Sequence, residues 1–343
     1  MHMADALLSP QVGGTMWAVS AGALACSSRK VRTELDETKA PLMGVLGAFL
    51  FAAQMINFSI PLTGSSGHLG GGLLLTVLLG PCAAFLTIAS VLVVQALFFA
   101  DGGLLALGCN IFNMGLIPAF IVYPFVYRKI AGHDPGRMRL TLAIMISSVA
   151  GLQLGPFCVV LETWFSGISS LPFSTFLLLM LPIHLAIGVV EGFVTAAVVS
   201  FVRQARPGIL QGVPEARKAG NHPVRGLLLA FLATAIITGG IVSWFASKNP
   251  DGLEWAIARV TGKEELKEPV GGVHGIMAAV QGKTAFLPDY AFKKPAVGVQ
   301  PEGTAKEAGS RLGTSISGII GALMTLALVI LSGLVLKKRP RST

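Results

Sequence analysis

The chain has 343 residues, of which 53% are hydrophobic and only 13% charged, and its mean hydropathy is +0.71. A soluble domain carries about 25% charged residues, so this composition excludes a soluble enzyme and a disordered chain. It also argues against a β-barrel, whose polar lumen would lower the average, and the net charge of +9 sorts by loop in a way that points to membrane topology rather than nucleic acid.

In chain order, Met1 to Asp5 lacks the basic region and apolar core of a signal peptide. The mature protein is therefore expected to begin at Met1. Ser9-Pro10 offers an N-cap and a proline at the first helical position. Apolar runs follow near 11–28, 41–58, 69–80, 82–100, 104–127, 140–161, 173–202, 226–246 and 312–336. Most approach the roughly 20 residues that a bilayer demands. The third is short, about 18 Å at the rise of a helix, so the preceding loop, Ser59 to His68, is expected to dip into the membrane. Such backbone is tolerated only beside protein or a polar cavity. In the first run, Ala18, Gly22, Ala21 and Ala25 stand at four-residue spacing, which suits close helix approach. We expect that face to pack internally, with docking of a partner subunit as the other reading.

Lys and Arg gather in 29–39, 128–139, 203–225 and the tail from Lys337, while the short loops 1–10, 59–68, 101–103 and 162–172 hold none. By the positive-inside rule, this gives nine spans with the N-terminus outside, the C-terminus cytosolic and the long loop 247–311 outside. The predicted fold is thus an all-α polytopic membrane protein. It has a seven-span part, residues 1–203, then a cytosolic linker, 204–225, and a two-span hairpin, 226–343. Cys26, Cys82, Cys109 and Cys158 fall inside apolar runs and make neither a disulfide framework nor a CxxC site. Gly282-Lys283-Thr284 ends like a P-loop, but Met277 stands where that motif needs glycine.

Asn57, Gln95, Asn110, His184 and Glu191 are polar residues within or beside apolar runs. They either line a polar cavity or join helices through hydrogen bonds worth about 0.6 kcal/mol each. His184 and Glu191 share a face at i, i+7. The acids of the external loop, Asp251 and Glu254 among them, and its His274 read as solvated surface.

The chain end is more specific. A free α-amine, the amide nitrogen of His2 and its Nδ1 close two fused chelate rings in one plane. Such nitrogen ligation suits Ni(II) or Cu(II). His2 is bulky enough to keep Met1 in place. On the same predicted side, Gly64-Ser65-Ser66-Gly67-His68 presents a lone histidine among small residues, a candidate fourth ligand. Asp5, Ser66, Asn57, Gln95, Asn110, His184 and Glu191 are candidates for a supporting shell around Met1, His2 and His68.

The Met-His start, Ser9-Pro10, the stretch from Asn57 through His68-Leu69-Gly70-Gly71, and Gln95 through Asp101-Gly102-Gly103 to Asn110 together resemble the NikM/CbiM family. So does His184 through Glu191, and the resemblance spans roughly residues 1–203. Asn249 followed by Pro250-Asp251-Gly252-Leu253-Glu254 resembles the PDGLE signature of a NikN-like partner, here fused behind the first part. The resemblance implies a substrate-binding (S) component of an energy-coupling-factor importer in a prokaryotic plasma membrane. Ni2+ or Co2+ would be its transported substrate, with no cofactor, and Met1, His2 and His68 would be the metal ligands. It implies a transmembrane coupling protein (T component) and two cytosolic ATPase subunits as partners, with lipid around the chain, no nucleic acid and no enzymatic activity of its own. Two other readings stand beside it. One is a facilitator that works without ATPases. The other is an intramembrane metal-dependent enzyme using His184 and Glu191, although no HExxH-like second histidine accompanies them.

Overall fold

The computed structural model describes residues 2–34, 38–206, 224–293 and 304–337. Met1, most of the linker with His222, and the basic tail beyond Lys337 lie outside the described residues. Each apolar run centres on a helix: α1 (Pro10–Glu34), α2 (Lys39–Gln54), α3 (Gly72–Leu79), α4 (Pro81–Phe99), α5 (Leu107–Ala131), α6 (Arg137–Ser166), α7 (Phe173–Ala205), α8 (Val224–Gly240) and α11 (Thr304–Leu336). Two further helices, α9 (Gly252–Thr261) and α10 (Gly272–Thr284), lie between α8 and α11. Among the described residues, five helices are long and apolar enough to cross a membrane by length and composition: α4, α5, α6, α7 and Arg311–Leu336 of α11.

Lipid-facing and interior faces separate along α7. Leu178, Leu185, Phe193 and Phe201 are exposed, while Met180, His184, Gly188, Glu191 and Thr195 are buried. That is a helical apolar stripe on the outside and a small-residue seam inside. A Cβ on Gly192 would stand 2.6 Å from the Met145 sulfur, and one on Gly188 3.0 Å from the Val149 Cα. Small residues here let α6 and α7 approach closely, as membrane helices require.

The short third run becomes an eight-residue helix, every residue of which is buried. The loop before it enters the protein as a two-stranded hairpin, β1 (Phe58–Ile60) and β2 (Ser65–Gly67), antiparallel with Ser59 opposite Ser66. Pairing meets the backbone demand that depth imposes.

One expectation fails. Ala18, Ala21, Gly22 and Ala25 of α1 are exposed, and a Cβ on Gly22 would meet nothing within 4 Å. The opposite face of α1 makes the close approach instead. Ser20 Oγ donates to the Gly108 carbonyl at 2.7 Å, and a Cβ on Gly108 would lie 2.5 Å from the Trp17 nitrogen.

The C-terminal helices dock on α2 through glycines. Gly44 meets Leu326, Gly47 meets Thr325, and Phe51 fills the space above Gly321. Between α8 and α11, Gly239 and Gly318 touch backbone to backbone, so a Cβ on Gly318 would collide with the Gly239 carbonyl. Gly318→Leu should therefore pry this pair apart at a cost on the order of 1–3 kcal/mol. Its thermal midpoint in detergent should fall, while Gly14→Ala, at a position with open space, should hold or raise it. Equal midpoints for the two variants would contradict the packing.

Candidate metal centre

The N-terminal tail folds inward because three of its side chains are apolar and one helix start is sharp. Met3, Leu7 and Leu8 are fully buried, in one cluster with Leu105, Phe176 and the α9 residues Leu253 and Ile257. Both polar groups of the Met3 backbone are taken. Its N–H donates to Asn110 Oδ1 at 2.8 Å, and its carbonyl accepts from Gly103 N–H at 2.9 Å and Asn110 Nδ2 at 3.3 Å. Asp5 accepts from Ala106 N–H at 2.9 Å. Asn110 and Asp5 thus hold the tail.

That anchoring sets His2. Its ring stacks on His68 with centroids 5.1 Å apart and planes 14° apart. Its Nδ1 is 3.1 Å from Asp101 Oδ1, and its Nε2 is 3.2 Å from Gln95 Oε1. The Gln95 amide is oriented in turn, since its Nε2 donates to Gln54 Oε1 at 3.0 Å and Gln54 donates to the Gly70 carbonyl at 3.0 Å. Burial would raise the Asp101 carboxyl, but the His2 ring beside it, together with the Tyr290 hydroxyl and His68, holds it below the usual carboxylate range. Burial and then the Asp101 charge push the Tyr290 phenol well up, so it remains a donor, at 2.5 Å from Asp101 Oδ2.

His68 follows β2 and is 8% exposed. Its Nδ1 donates to the Leu69 carbonyl at 3.0 Å, which puts the lone pair on Nε2. Burial first, and the neighbouring His2 in the same direction, push this imidazole down to about 3. The ring therefore stays neutral, the form in which imidazole binds metals. Glu191 reaches this loop from α7 and accepts from Gly70 N–H at 2.6 Å and Gly71 N–H at 3.2 Å. Gly71 is left-handed (φ +74°), and Leu50 occupies the place of its Cβ. Glu191 is thus the anchor of the His68 turn.

The segment after α8 closes the site. Ser66 N–H donates to the Pro250 carbonyl at 2.8 Å and Ser66 Oγ to that of Asn249 at 2.8 Å. Ser247 N–H donates to the Asn57 carbonyl at 2.7 Å. His274 Nε2 donates to the Leu8 carbonyl at 2.8 Å, and Gln281 Nε2 to that of Gly102 at 2.8 Å. Asp251 and Glu254 are half-buried rather than fully solvated, and His274 is buried. Asp251 caps α9, its Oδ1 accepting from Leu253 N–H at 2.8 Å and Glu254 N–H at 2.9 Å, while Glu254 returns to the Asp251 N–H at 2.9 Å. This is a capping box, and the D-x-x-E spacing is the sequence signal that could have found it. Gly252 is required because a Cβ would stand 2.6 Å from Ile183 Cγ2.

Together these residues wall a cavity of about 610 Å³ that His2, His68, Asp101, Asp251 and Glu254 line. Asn57 also lines it, whereas Ser66, Asn110 and Glu191 act as tethers. Asp101, Gln54 and Tyr290 are partners of the site that sequence reasoning missed. Among the described residues, no group of three or more His, Cys, Asp or Glu side chains is placed to hold a metal ion.

Residues 2–209 match the family described as the cobalt uptake substrate-specific transmembrane region, CbiM, and residues 225–338 match the PDGLE domain. A putative fused nickel transport protein NikMN of Archaeoglobus fulgidus is 32% identical over 96% of both chains. A putative metal transport protein of Haloquadratum walsbyi is 36% identical over 61% of this chain and 93% of its own. A crystal structure of a truncated transition metal transporter is 30% identical and superposes with a TM-score of 0.53, covering 60% of this chain and 99% of that one.

The neutral, buried His68 sets an acid response. An unfolded chain would protonate it near its ordinary 6.5, but the folded chain resists down to about 3. Stability should therefore fall as pH drops through that window. Asp101, depressed in the folded chain, adds a further loss below its ordinary 3.8. The thermal midpoint of the metal-free chain should decline from pH 7 to pH 4, and more gently in His68→Gln. An equally steep decline in that variant would refute the assignment.

Proposed function

This chain belongs to the CbiM family of cobalt uptake substrate-specific transmembrane regions, with a PDGLE domain fused behind it, and from that premise we propose that it is the metal-binding S component of an energy-coupling-factor importer for nickel or cobalt. Metal transport is what its relatives do, and it is a transporter subunit rather than an enzyme. The observation that carries the finer reading is the stacking of His2 on His68. It brings a chain end and a loop histidine together at one cavity. Among the described residues no closed set of side chains stands there, and we assign the remaining donors to backbone nitrogens. The ligands are the Met1 amine, the His2 amide nitrogen, His2 Nδ1 and His68. The ion takes the place of Asp101 as the partner of His2 Nδ1, and the acidic wall of the cavity draws divalent cations inward.

The division into a metal-binding part, residues 1–203, a linker, 204–225, and an accessory part, 226–343, fits this role. The accessory part acts by contact, since it bonds to the tail, the β1–β2 hairpin and the Gly102 turn. Loading takes place on the outer side, where the N-terminus stands, and the C-terminus is cytosolic. Energy comes from two separate ATPase subunits through a T component. The exposed small-residue face of α1 offers that membrane protein a close-packing surface, and Gly22→Leu should reduce its co-purification.

Metal binding tests the ligand set. One residue added before Met1 should abolish high-affinity Co2+ or Ni2+ binding, whereas a C-terminal tag should not. His68→Ala should weaken it by more than about tenfold, the least that loss of even an outer-shell partner tends to cost. His133→Ala, in the loop between α5 and α6, should bind as the parent does. Undiminished metal content in the N-terminally extended chain would sink this reading.

A further inference from the structure

Two hydroxyls of α6 depart from the pattern set by α3 and α4. Thr76, Thr87 and Ser90 each donate to the carbonyl four residues back, at 2.6, 2.8 and 2.9 Å, as buried hydroxyls on helices commonly do. Ser147 and Ser148 are 0% and 1% exposed, yet neither Oγ has a hydrogen-bond partner among the described residues. Asn113 of α5 shares this condition. Its Nδ2 donates to Glu162 Oε2 at 2.8 Å, while its Oδ1 is buried without a partner. Buried polar atoms are rarely left so, and three in one place ask for a common explanation.

The three belong to one space. Asn113, Ser147 and Ser148 line a cavity of about 20 Å³ between α3, α5, α6 and α7, and Glu191 lines it with them. That is the room of a single water-sized group. The helix that carries Asn113 is of the π type from Phe112 to Tyr127, a geometry that is rare and is found mostly at functional sites. Glu191 spends one acceptor position per oxygen on Gly70 N–H and Gly71 N–H, and a carboxylate has about four. No cationic side chain stands in the described lining. A carboxylate ionised at this depth needs a counter-charge, and none of these side chains supplies it.

The polar side chains of this space offer oxygen alone, and oxygen donors select hard cations. One carboxylate balances one positive charge, whereas a divalent ion would leave a surplus among apolar helices. We propose that this cavity binds a sodium ion, held by Glu191, Asn113 Oδ1 and the hydroxyl oxygens of Ser147 and Ser148. The ion gives partners to three orphaned oxygens and a counter-charge to the carboxylate. Glu191 also holds the turn that follows His68, so an ion that fixes Glu191 steadies that turn. This link rests on His68 as a metal ligand, but the sodium site does not.

The first measurement needs no transition metal. The thermal midpoint of the full-length chain in detergent is compared in sodium chloride and in choline chloride at equal ionic strength, beside binding of radioactive sodium. The parent should melt higher in sodium and bind one ion per chain. Ser147→Ala/Ser148→Ala should bind sodium at least severalfold more weakly and lose most of the rise. In choline the same variant should melt at or above the parent, because it removes buried hydroxyls that lack partners. A merely structural role would lower its midpoint equally in both salts. Glu191→Gln, which keeps an acceptor for the Gly70 turn, tests the charge separately and should also lose the sodium response. Equal midpoints of the parent in the two salts with no bound sodium overturn the proposal, as they would if a water filled the cavity. A full sodium response in the double serine variant overturns it too. The second measurement is Co2+ titration in the two salts, where the parent should bind severalfold more tightly in sodium and the double variant equally in both. Sodium binding with unaltered Co2+ affinity upholds the site and removes only its link to the metal centre.

Discussion

The site depends on how a chain end is held. A terminus has lost one neighbour, and without ties it frays. Here the ties are doubled at Met3, where Asn110 and Gly103 take both backbone polar groups. Met3, Leu7 and Leu8 sink into a core shared with Phe176 and Leu253. His2 is thereby carried to Asp101 and His68 with no freedom of approach left to the tail. Everything else in the centre is arranged around that fixed point, from the Gln95–Gln54 relay to the Glu191 anchor of the opposite loop.

The same core explains why the accessory segment belongs to the site rather than beside it. Helix α9 begins at a capping box and lays Leu253, Ala256 and Ile257 against the tail. Its N-terminal turn is also the strand-like partner of Ser66. One short element therefore touches both the tail that carries His2 and the hairpin that leads to His68. Gly252 lets it approach His184, and a larger residue would push the turn away from both.

Much of this was legible in the residues. The helices follow from apolar runs, His2 stood out because it follows a chain end, and His68 because it is alone among Gly and Ser. The shared face of His184 and Glu191 followed from helical spacing. The β1–β2 hairpin was not legible, since Ile60-Pro61-Leu62 breaks any alternation and its pairing is decided by burial. Asp101 and Gln54 were hidden for a different reason. A single polar residue near an apolar run looks the same whether it tethers a helix or faces a ligand, and only the fold tells which. The exposed face of α1 was misjudged because small residues suit internal and external contacts equally. Asp251 and Glu254 were misjudged on net charge, which ignores where a carboxylate points.

The covalent union of the two parts changes what their interface has to achieve. Contacts such as Ser66 to Pro250, Ser59 to Ser247 or Gly47 to Thr325 are narrow, polar or glycine-lined. Two separate proteins meeting through them would dissociate whenever dilution in the bilayer favoured it. Within one chain the encounter is intramolecular, at an effective concentration set by the tether. The interface is thus free of the demand for affinity and can be tuned for exchange. A contact that opens meets the same partner when it closes, every chain carrying its own copy at a fixed one-to-one ratio.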